Sequence, residues 1–187
     1  KFDAGEGQIA YDHSGNANHG AINGATWGVE VPILDEFVSI PDDNFERALI
    51  DLGFDDIVDG QVMSSVIGEI THLNVCSNEI ASLEGIDRFT NLEHLIACNN
   101  QLTSADLSSN INLKILELHH NQITSVNVSQ NSLLENFSIE GNQLTSIDVS
   151  NNPLLYHLDV SGSPLGVLDL SNNLALRSLQ PTMLMST

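Results

Sequence analysis

Basic residues are scarce in this sequence. The chain of 187 residues has 5 Lys and Arg against 25 Asp and Glu, which gives a formal net charge of −20. Nucleic-acid phosphates require a basic surface, so this balance argues against a nucleic-acid partner. It argues against anionic membrane surfaces for the same reason. Charged residues make up only 16% of the chain, so the acidity does not indicate a disordered acidic tail.

Long apolar runs and cysteines are also few. No stretch approaches the ~18 consecutive apolar residues of a membrane span, so membrane insertion is not expected. Cys76 and Cys98 are the two cysteines of the chain, too few for a disulfide scaffold, and one bridge and two free thiols both stay open. The chain begins at Lys1 without a Met or a visible signal peptide. We therefore expect a processed or excised piece of a longer protein.

A repeat organises two thirds of the chain. Leu92, Leu113, Leu134, Leu155 and Leu176 follow one another at intervals of 21 residues, and the first unit is one residue longer. Each unit has the pattern LxxLxLxxNxLxxLDLSxNxx, counted from its leading apolar residue. We predict that the apolar positions 1, 4, 6, 11, 14 and 16 point inward and stack on their copies in neighbouring units, because a single unit cannot bury them.

Polar residues recur in the same register. Asparagines at repeat positions 9 and 19 are expected to hydrogen-bond the backbone where it turns, since an amide side chain supplies both donor and acceptor. Position 15 carries an acid or Asn followed two residues later by Ser, as in Asp106 with Ser108 and Asp148 with Ser150. These pairs predict local turn hydrogen bonds along one stripe of the surface.

The period and spacing resemble the leucine-rich repeats of bacterial surface proteins, in particular the internalin-like class with 21- and 22-residue units. The resemblance implies an α/β fold: a right-handed leucine-rich-repeat solenoid, or horseshoe, with a parallel β-sheet on its concave face. Such a fold is strand-rich and has one N-terminal cap helix. We divide the array into repeats 70–91, 92–112, 113–133, 134–154 and 155–175, followed by a partial repeat 176–187.

Residues 38–69 precede the array and are predicted to be a helical cap. Asp43 or Asn44 can cap a helix that ends at Gly53. Its apolar residues at helical spacing are Phe45, Ala48, Leu49 and Leu52. The segment resembles the IPD-x-NF-type cap that precedes such repeats in many secreted bacterial proteins, and a cap would shield the core of the first repeat from water.

An acidic stretch in this cap is similar to a calcium-binding loop. Asp55, Asp59 and Gly60 occupy three of the loop positions, but Ile57 and Val66 stand where two ligands are required. Calcium is therefore unsupported by a complete motif, and we predict no cofactor.

Residues 2–27 resemble the opening strands of a laminin-G-like or concanavalin-A-like lectin domain. A complete sandwich needs on the order of 100 residues, and too few remain before the cap begins. We therefore expect residues 1–37 to be a lectin-like remnant or N-terminal extension.

The candidate ligand-binding residues lie on the concave face, which we define as the outward side chains at repeat positions 3, 5 and 7. They are His72, His94, Ile96, Glu117, His119, Glu140, His157 and Asp159. Glu117 with His94, or Asp159 with His157, could act as an acid–base pair. An open sheet face lacks the cleft that excludes water from such pairs, so we predict no enzyme and no catalytic residue.

A metal site is the alternative for position 7, where Cys76, Cys98 and His119 are consecutive. Thiolate and imidazole are ligands for zinc and copper. Three side chains in a straight row do not make a tetrahedron, and a disulfide between Cys76 and Cys98 competes for the sulfurs. We therefore predict no resident metal.

Repeat solenoids present extended surfaces that usually serve binding. The sequence predicts a non-enzymatic binding or adhesion module of a secreted or cell-surface bacterial protein, recognising a protein or glycan through the concave face. Two alternatives stay open. The first is a structural element that self-associates end to end through its solenoid ends, and the second is an accessory module of a carbohydrate-active protein.

Overall fold

The computed structural model describes residues 36–181 and, further toward the N-terminus, the backbone of three short strands. These strands, β1 (Phe2–Ala4), β2 (Ile9–Asp12) and β3 (Gly20–Ala21), form an antiparallel sheet in that order. The rest of the lectin-like phrase at 2–27 and the last residues of the partial repeat, 182–187, lie outside the described residues.

Two further strands and two helices lie between β3 and the repeats. Strand β4 (Phe37–Ser39) pairs antiparallel with β5 (Gln61–Met63), and helix α1 (Asp43–Asp51) lies between them in the chain. A short second helix, α2 (Ser64–Ile67), follows β5. The predicted helix is therefore present, and the sequence pattern missed the strand pair and the second helix.

The start and end of α1 differ from the prediction in detail. Asp42 is the N-cap, because its carboxylate accepts from the backbone N–H groups of Asn44 and Phe45 at 3.0 Å each. The prediction of Asp43 or Asn44 as the cap is thus wrong by one or two residues. Leu52 is 44% exposed and does not belong to the buried face of the helix, because α1 ends before it, at Asp51.

Helix α1 is fastened to the first repeat. The second carboxylate oxygen of Asp42 accepts from the backbone N–H groups of Ala81 and Ser82, both at 2.8 Å. The rings of Phe45 and Phe89 lie 6.1 Å apart, and both are fully buried. One aspartate therefore caps the helix and holds it against the array. The helix in turn covers the apolar end of the array.

The repeats form a six-stranded parallel sheet in the order β11-β10-β9-β8-β7-β6. The strands are β6 (His72–Asn74), β7 (His94–Ile96), β8 (Ile115–Glu117), β9 (Asn136–Ser138), β10 (His157–Asp159) and β11 (Ser178–Gln180). The central residues of β6 to β10 are buried, whereas Leu179 of β11 is 39% exposed. Equivalent residues of neighbouring repeats pair directly, as His94 does with Ile115. The leucine-rich-repeat solenoid that the period predicts is confirmed.

The recurring asparagines hold the turns, as the pattern predicts. At position 9, the Asn121 amide oxygen accepts from the backbone N–H of Leu102, while its nitrogen donates to the carbonyls of Ala97 and Leu118, all at 3.0 Å. At position 19, the Asn131 amide nitrogen donates to the carbonyls of Leu107 and Asn110 at 3.0 and 2.9 Å. These bonds satisfy carbonyls that have no strand partner, so they replace a sheet ladder at the corners.

Position 8 has a left-handed backbone in successive repeats. Asn99 and His120 have φ values of 51° and 55°, and Gly141 has 64°. A side chain at Gly141 would meet His120, because an added Cβ would lie 2.5 Å from its Nδ1. The chain leaves each strand through this conformation, and the small residue at 141 makes room for the imidazole of the preceding repeat.

Candidate functional site

The candidate ligand-binding residues share the concave face, because strand register places them in columns. In the first column His72 pairs with His94, while His157 lies between Asn136 and Ser178. In the second column Ile96 pairs with Glu117, and Asp159 pairs with Ser138 and Gln180. Most of these side chains are half-buried, and His72 is exposed. Their common placement follows from the repeat period, since equal spacing in sequence becomes adjacency across parallel strands.

His72 and His94 are in direct ring contact. Their ring centres lie 4.0 Å apart with the planes at 67°, an edge-to-face arrangement. The hydroxyl of Thr71 bonds Nδ1 of His72 at 2.8 Å. Burial lowers the pKa of His94, and the neighbouring His72 charge lowers it further. The pair is therefore a close, oriented contact between two imidazoles on one face.

An ion pair between Lys114 and Glu93 lies next to the histidine pair. Neither residue was among the candidates from the sequence. Lys114 Nζ binds Glu93 at 2.9 Å, and its hydrogen bond is the main reason that the pKa of Glu93 is lowered. Both residues are at repeat position 2, directly before a strand. The signal that could have found them is the alternation of charge in that column through Glu93, Lys114 and Glu135, which Tyr156 interrupts before Arg177. Exposed pairs of this kind contribute little stability.

The two cysteines form a disulfide. Cys76 and Cys98 are bridged with their Cα atoms 4.7 Å apart, which resolves the alternatives of one bridge and two free thiols. A bridged sulfur is not a thiolate, so the set of Cys76, Cys98 and His119 does not assemble a thiolate metal site. His119 instead has His120 as a ring neighbour, with the ring centres 5.5 Å apart. Within residues 36–181, no group of three or more His, Cys, Asp or Glu side chains is arranged to hold an ion.

The hypothetical acid–base pairs have other partners. Asp159 is only 5% exposed, and its carboxylate accepts from the backbone N–H and the hydroxyl of Ser161 at 3.0 and 2.7 Å. His157 bonds the hydroxyl of Ser178 through Nδ1 at 2.9 Å. His94 packs against His72, whereas Glu117 pairs in register with Ile96. The hydrogen bonds of Asp159 and His157 therefore go to serines, and the ring contact of His94 is with His72.

The opposite face is acidic and rich in hydroxyl groups. Asp106, Asp148 and Asp169 each accept from the backbone N–H of the serine two residues later, at 2.9–3.1 Å. Hydrogen bonds from these serines lower the pKa of all three aspartates. A depression of about 380 Å³, whose lining includes Glu84 and Asp87, adjoins Asp106. The predicted turn hydrogen bonds are confirmed, and this surface is a solvated acidic coat.

The acidic stretch of the cap folds around one buried carboxylate. Glu46 is fully buried, and one of its oxygens accepts from the backbone N–H groups of Asp59, Gly60 and Gln61 at 2.7–3.0 Å. Burial raises the pKa of Asp55, and Glu46 is the first of the nearby acids that raise it further. The stretch that resembles a calcium loop is therefore organised by an internal carboxylate. Sequence patterning missed Glu46, because an acid on the apolar side of a short helix has no periodic signal.

No helix among the described residues has the length and apolar character needed to cross a bilayer.

Comparison with solved structures places the repeats among known folds. The functional domain of InlJ from Listeria monocytogenes, whose structure includes a cysteine ladder, superposes with a TM-score of 0.73 at 30% identity. It covers 78% of this chain, which spans 33% of that one. An internalin from the same organism, InlF, superposes with a TM-score of 0.65 at 27% identity over 75% of this chain and 43% of its own length. No protein-family model and no curated protein matches the sequence.

The chain thus spans between a third and a half of the two solved structures that it resembles. At repeat position 6 Val75 and Ala97 are fully buried, and the cysteines that follow them, Cys76 and Cys98 at position 7, are bridged, with Cys98 only 5% exposed.

Proposed function

The chain is an internalin-like leucine-rich-repeat solenoid, and from that premise we propose that it is a non-enzymatic binding or adhesion module. In this proposal it belongs to a secreted or cell-surface bacterial protein and recognises a protein or glycan through its concave face. The fold itself does not name the ligand.

The observation that carries the proposal is the contrast between the two faces of the repeats. The concave face presents half-exposed histidine, isoleucine and acidic side chains in adjacent columns, including His94, Ile96, Glu117 and His119. The opposite face repeats the same aspartate–serine turn along its length. Mixed apolar and polar groups on a rigid sheet suit specific contact, whereas a uniform acidic coat suits solvation.

The disulfide supports an extracellular location. Bridges such as Cys76–Cys98 persist in oxidising compartments and are rare in the cytosol. Alkylation of thiols in intact producing cells should therefore leave both cysteines unmodified until a reductant is added.

We also propose a division of the chain that follows the repeat register. Residues 1–37 form an N-terminal extension, 38–69 a cap, and 70–187 the repeats. The position of α1 between the paired strands β4 and β5 supports a distinct cap, and the six parallel strands support the repeat unit.

The test is a binding screen with a matched pair of variants. The wild-type protein is labelled and applied to a glycan array and to a library of displayed extracellular protein domains. Every ligand found is then measured against a concave variant that carries His94→Ala, Ile96→Ala, Glu117→Gln and His119→Ala. We expect the concave variant to lose binding while its circular dichroism spectrum stays that of the wild type.

The control variant makes equally many changes on the opposite surface and removes the same charge. It carries Thr124→Ala, Ser125→Ala, Thr145→Ala and Asp148→Asn, all at exposed positions. We expect it to bind like the wild type. Retained binding by the concave variant, or loss in the control alone, contradicts recognition through the concave face.

Self-association through the solenoid ends is the second candidate, and one observation favours it. Near the last described repeat, Val167 and Leu174 are 90% and 92% exposed, which is unusual for large apolar side chains. Strand β11 pairs only with β10 among the described residues, so one backbone edge is open there. Sedimentation velocity over a range of concentrations tests this candidate. A species that stays monomeric throughout contradicts it.

A further inference from the structure

A close pair of histidines on the concave face lies outside the position-7 column that the sequence singled out. His72 and His94 come from neighbouring strands and pair directly in register. Their ring centres are 4.0 Å apart. Neutral imidazole is a preferred ligand of zinc, copper and nickel. Two such ligands side by side on a rigid sheet are the minimum for a chelate.

We propose that His72 and His94 together chelate one divalent transition-metal ion, of which Zn²⁺ and Cu²⁺ are the representatives to test. The proposal does not rest on the proposed ligand of the concave face.

A small side-chain rotation lets both rings reach one ion. Bonds of about 2.0–2.1 Å in a tetrahedral site hold two ligating nitrogens about 3.3 Å apart and put the two ring centres roughly 5 Å apart, about 1 Å farther than the 4.0 Å between the ring centres here. The strands hold both residues at adjacent sheet positions, so little backbone ordering is needed to bring the nitrogens together. Metal sites on such elements are more precise than sites on loops.

A neighbouring hydroxyl orients one of the two rings. Thr71 Oγ1 bonds Nδ1 of His72 at 2.8 Å. A bond at Nδ1 leaves Nε2 of His72 for the ion, which is how outer partners of ligating histidines usually act. Thr71 is therefore a positioning residue in this proposal.

The charges around the histidine pair both attract and repel a cation. Glu93 interacts electrostatically with both imidazoles and attracts a cation, while Lys114, which binds Glu93 at 2.9 Å, opposes it. The formal net charge of −20 raises the cation concentration around the whole molecule.

The site is open rather than closed. The described residues contain no group of three ligating side chains, so the remaining coordination positions belong to water or to an incoming group. An ion held this way exchanges readily, in contrast to a structural four-ligand zinc. It would present a Lewis-acidic, positively charged point on an otherwise acidic protein.

The test is titration of Zn²⁺ and Cu²⁺, by calorimetry, into chelator-treated protein that carries no histidine tag. We expect one saturable site, with Ca²⁺ and Mg²⁺ giving none because they prefer oxygen ligands. His72→Asn and His94→Asn should each weaken affinity at least about tenfold, since loss of even an outer partner costs that much. Thr71→Val should weaken it less than either histidine substitution.

Two matched variants and a spectrum make the test specific. His157→Asn removes a histidine from the same column that has no imidazole beside it, and His120→Asn breaks the other ring pair, with His119. Both should bind like the wild type. Electron paramagnetic resonance of the Cu²⁺ form should show two ligating nitrogens in the wild type and one in His94→Asn.

Some results would overturn the proposal. They are the absence of saturable binding, binding that both His72→Asn and His94→Asn retain, and binding that is lost in His120→Asn instead. Circular dichroism of each variant without metal checks that the fold is intact, so loss of binding through unfolding is recognised.

Discussion

Replacement of Asn131 by aspartate tests whether the buried asparagine ladder holds the repeats together. The Asn131 side chain is fully buried, and its amide nitrogen donates to the carbonyls of Leu107 and Asn110. Its amide oxygen has no hydrogen-bond partner among the described residues. Asparagine and aspartate have the same shape, so Asn131→Asp changes the chemistry of the site without creating a cavity.

The expected loss follows from the two donors. A carboxylate only accepts, so each carbonyl loses one of its two donors and faces an oxygen. The backbone N–H groups of Asn110 and Leu113 still donate to the carbonyls of Leu107 and Asn110. A hydrogen bond contributes about 1 kcal/mol net, so the loss of two costs about 2 kcal/mol. Burial of an unpaired charge adds to this. For a chain of this size 1 kcal/mol shifts Tm by roughly 2–4 °C, so the lost hydrogen bonds alone predict a fall of about 4–8 °C at neutral pH.

Asn127→Asp is the matched control. It introduces the same charge four residues earlier, at the exposed repeat position 15, where Asp106, Asp148 and Asp169 already occur in other repeats. The Asn127 side chain accepts from the backbone N–H of Ser129 at 3.0 Å, a role that a carboxylate performs equally well. We expect its effect to stay within about 0.5 kcal/mol, as for most surface changes.

The assay is thermal and urea unfolding followed by circular dichroism, with Asn131→Ala as a third variant. The alanine change removes both donors without adding charge, so the excess loss in Asn131→Asp measures the buried carboxylate. Acidification should recover part of that excess, because a protonated carboxyl regains one donor. Equal stability of Asn131→Asp and Asn127→Asp would refute the reasoning that the amide nitrogen stabilises the corner.

Four further predictions concern the bridge and the carboxylates. Joint replacement of Cys76 and Cys98 by serine should lower the free energy of unfolding by about 3 kcal/mol, because the bridge closes a loop with a sequence separation of 22. Urea unfolding measures this loss. Reduction of the wild type should cause an equal loss of stability, and reduction of the variant should cause none. Glu46→Ala should cost about 3 kcal/mol in the same assay, since three backbone N–H groups lose the Glu46 oxygen and only that of Gln61 keeps another acceptor, the Asp59 carboxylate. Glu46→Gln should cost less, and equal losses would contradict the role of the Glu46 oxygen. Asp55→Asn should stabilise the protein at neutral pH, because the raised pKa reports a carboxylate that folding disfavours, and the gain should vanish as pH falls through that pKa. Asp148→Asn should instead destabilise the protein. The loss of stability should be present above pH 3.8, the ordinary pKa of aspartate, and should disappear as pH falls through the lowered pKa of Asp148. Tm measured against pH checks both, and curves of the same sign would contradict the assignment.

The repeats were predictable because their information is periodic. Leu95, Leu116 and Phe137 recur at the same repeat position, and the structure buries all three fully. The outward columns followed from the same count, so the pairing of Ile96 with Glu117 needed only the register. The cap was harder. Asp42 and Glu46 act through hydrogen bonds to distant segments that no period relates to them.

By itself the sequence determined the solenoid and the face on which each repeat residue lies. Units of equal length stack in register, and a shift of one residue would expose every buried leucine. Tertiary structure alone decided which neighbours on that face touch. The ring contact of His72 with His94 and the bridge between Cys76 and Cys98 depend on side-chain rotamers and on the approach of particular strands. Without those contacts the columns would be only polar side chains on neighbouring strands. The contacts make one pair a disulfide bond and the other a proposed metal chelate.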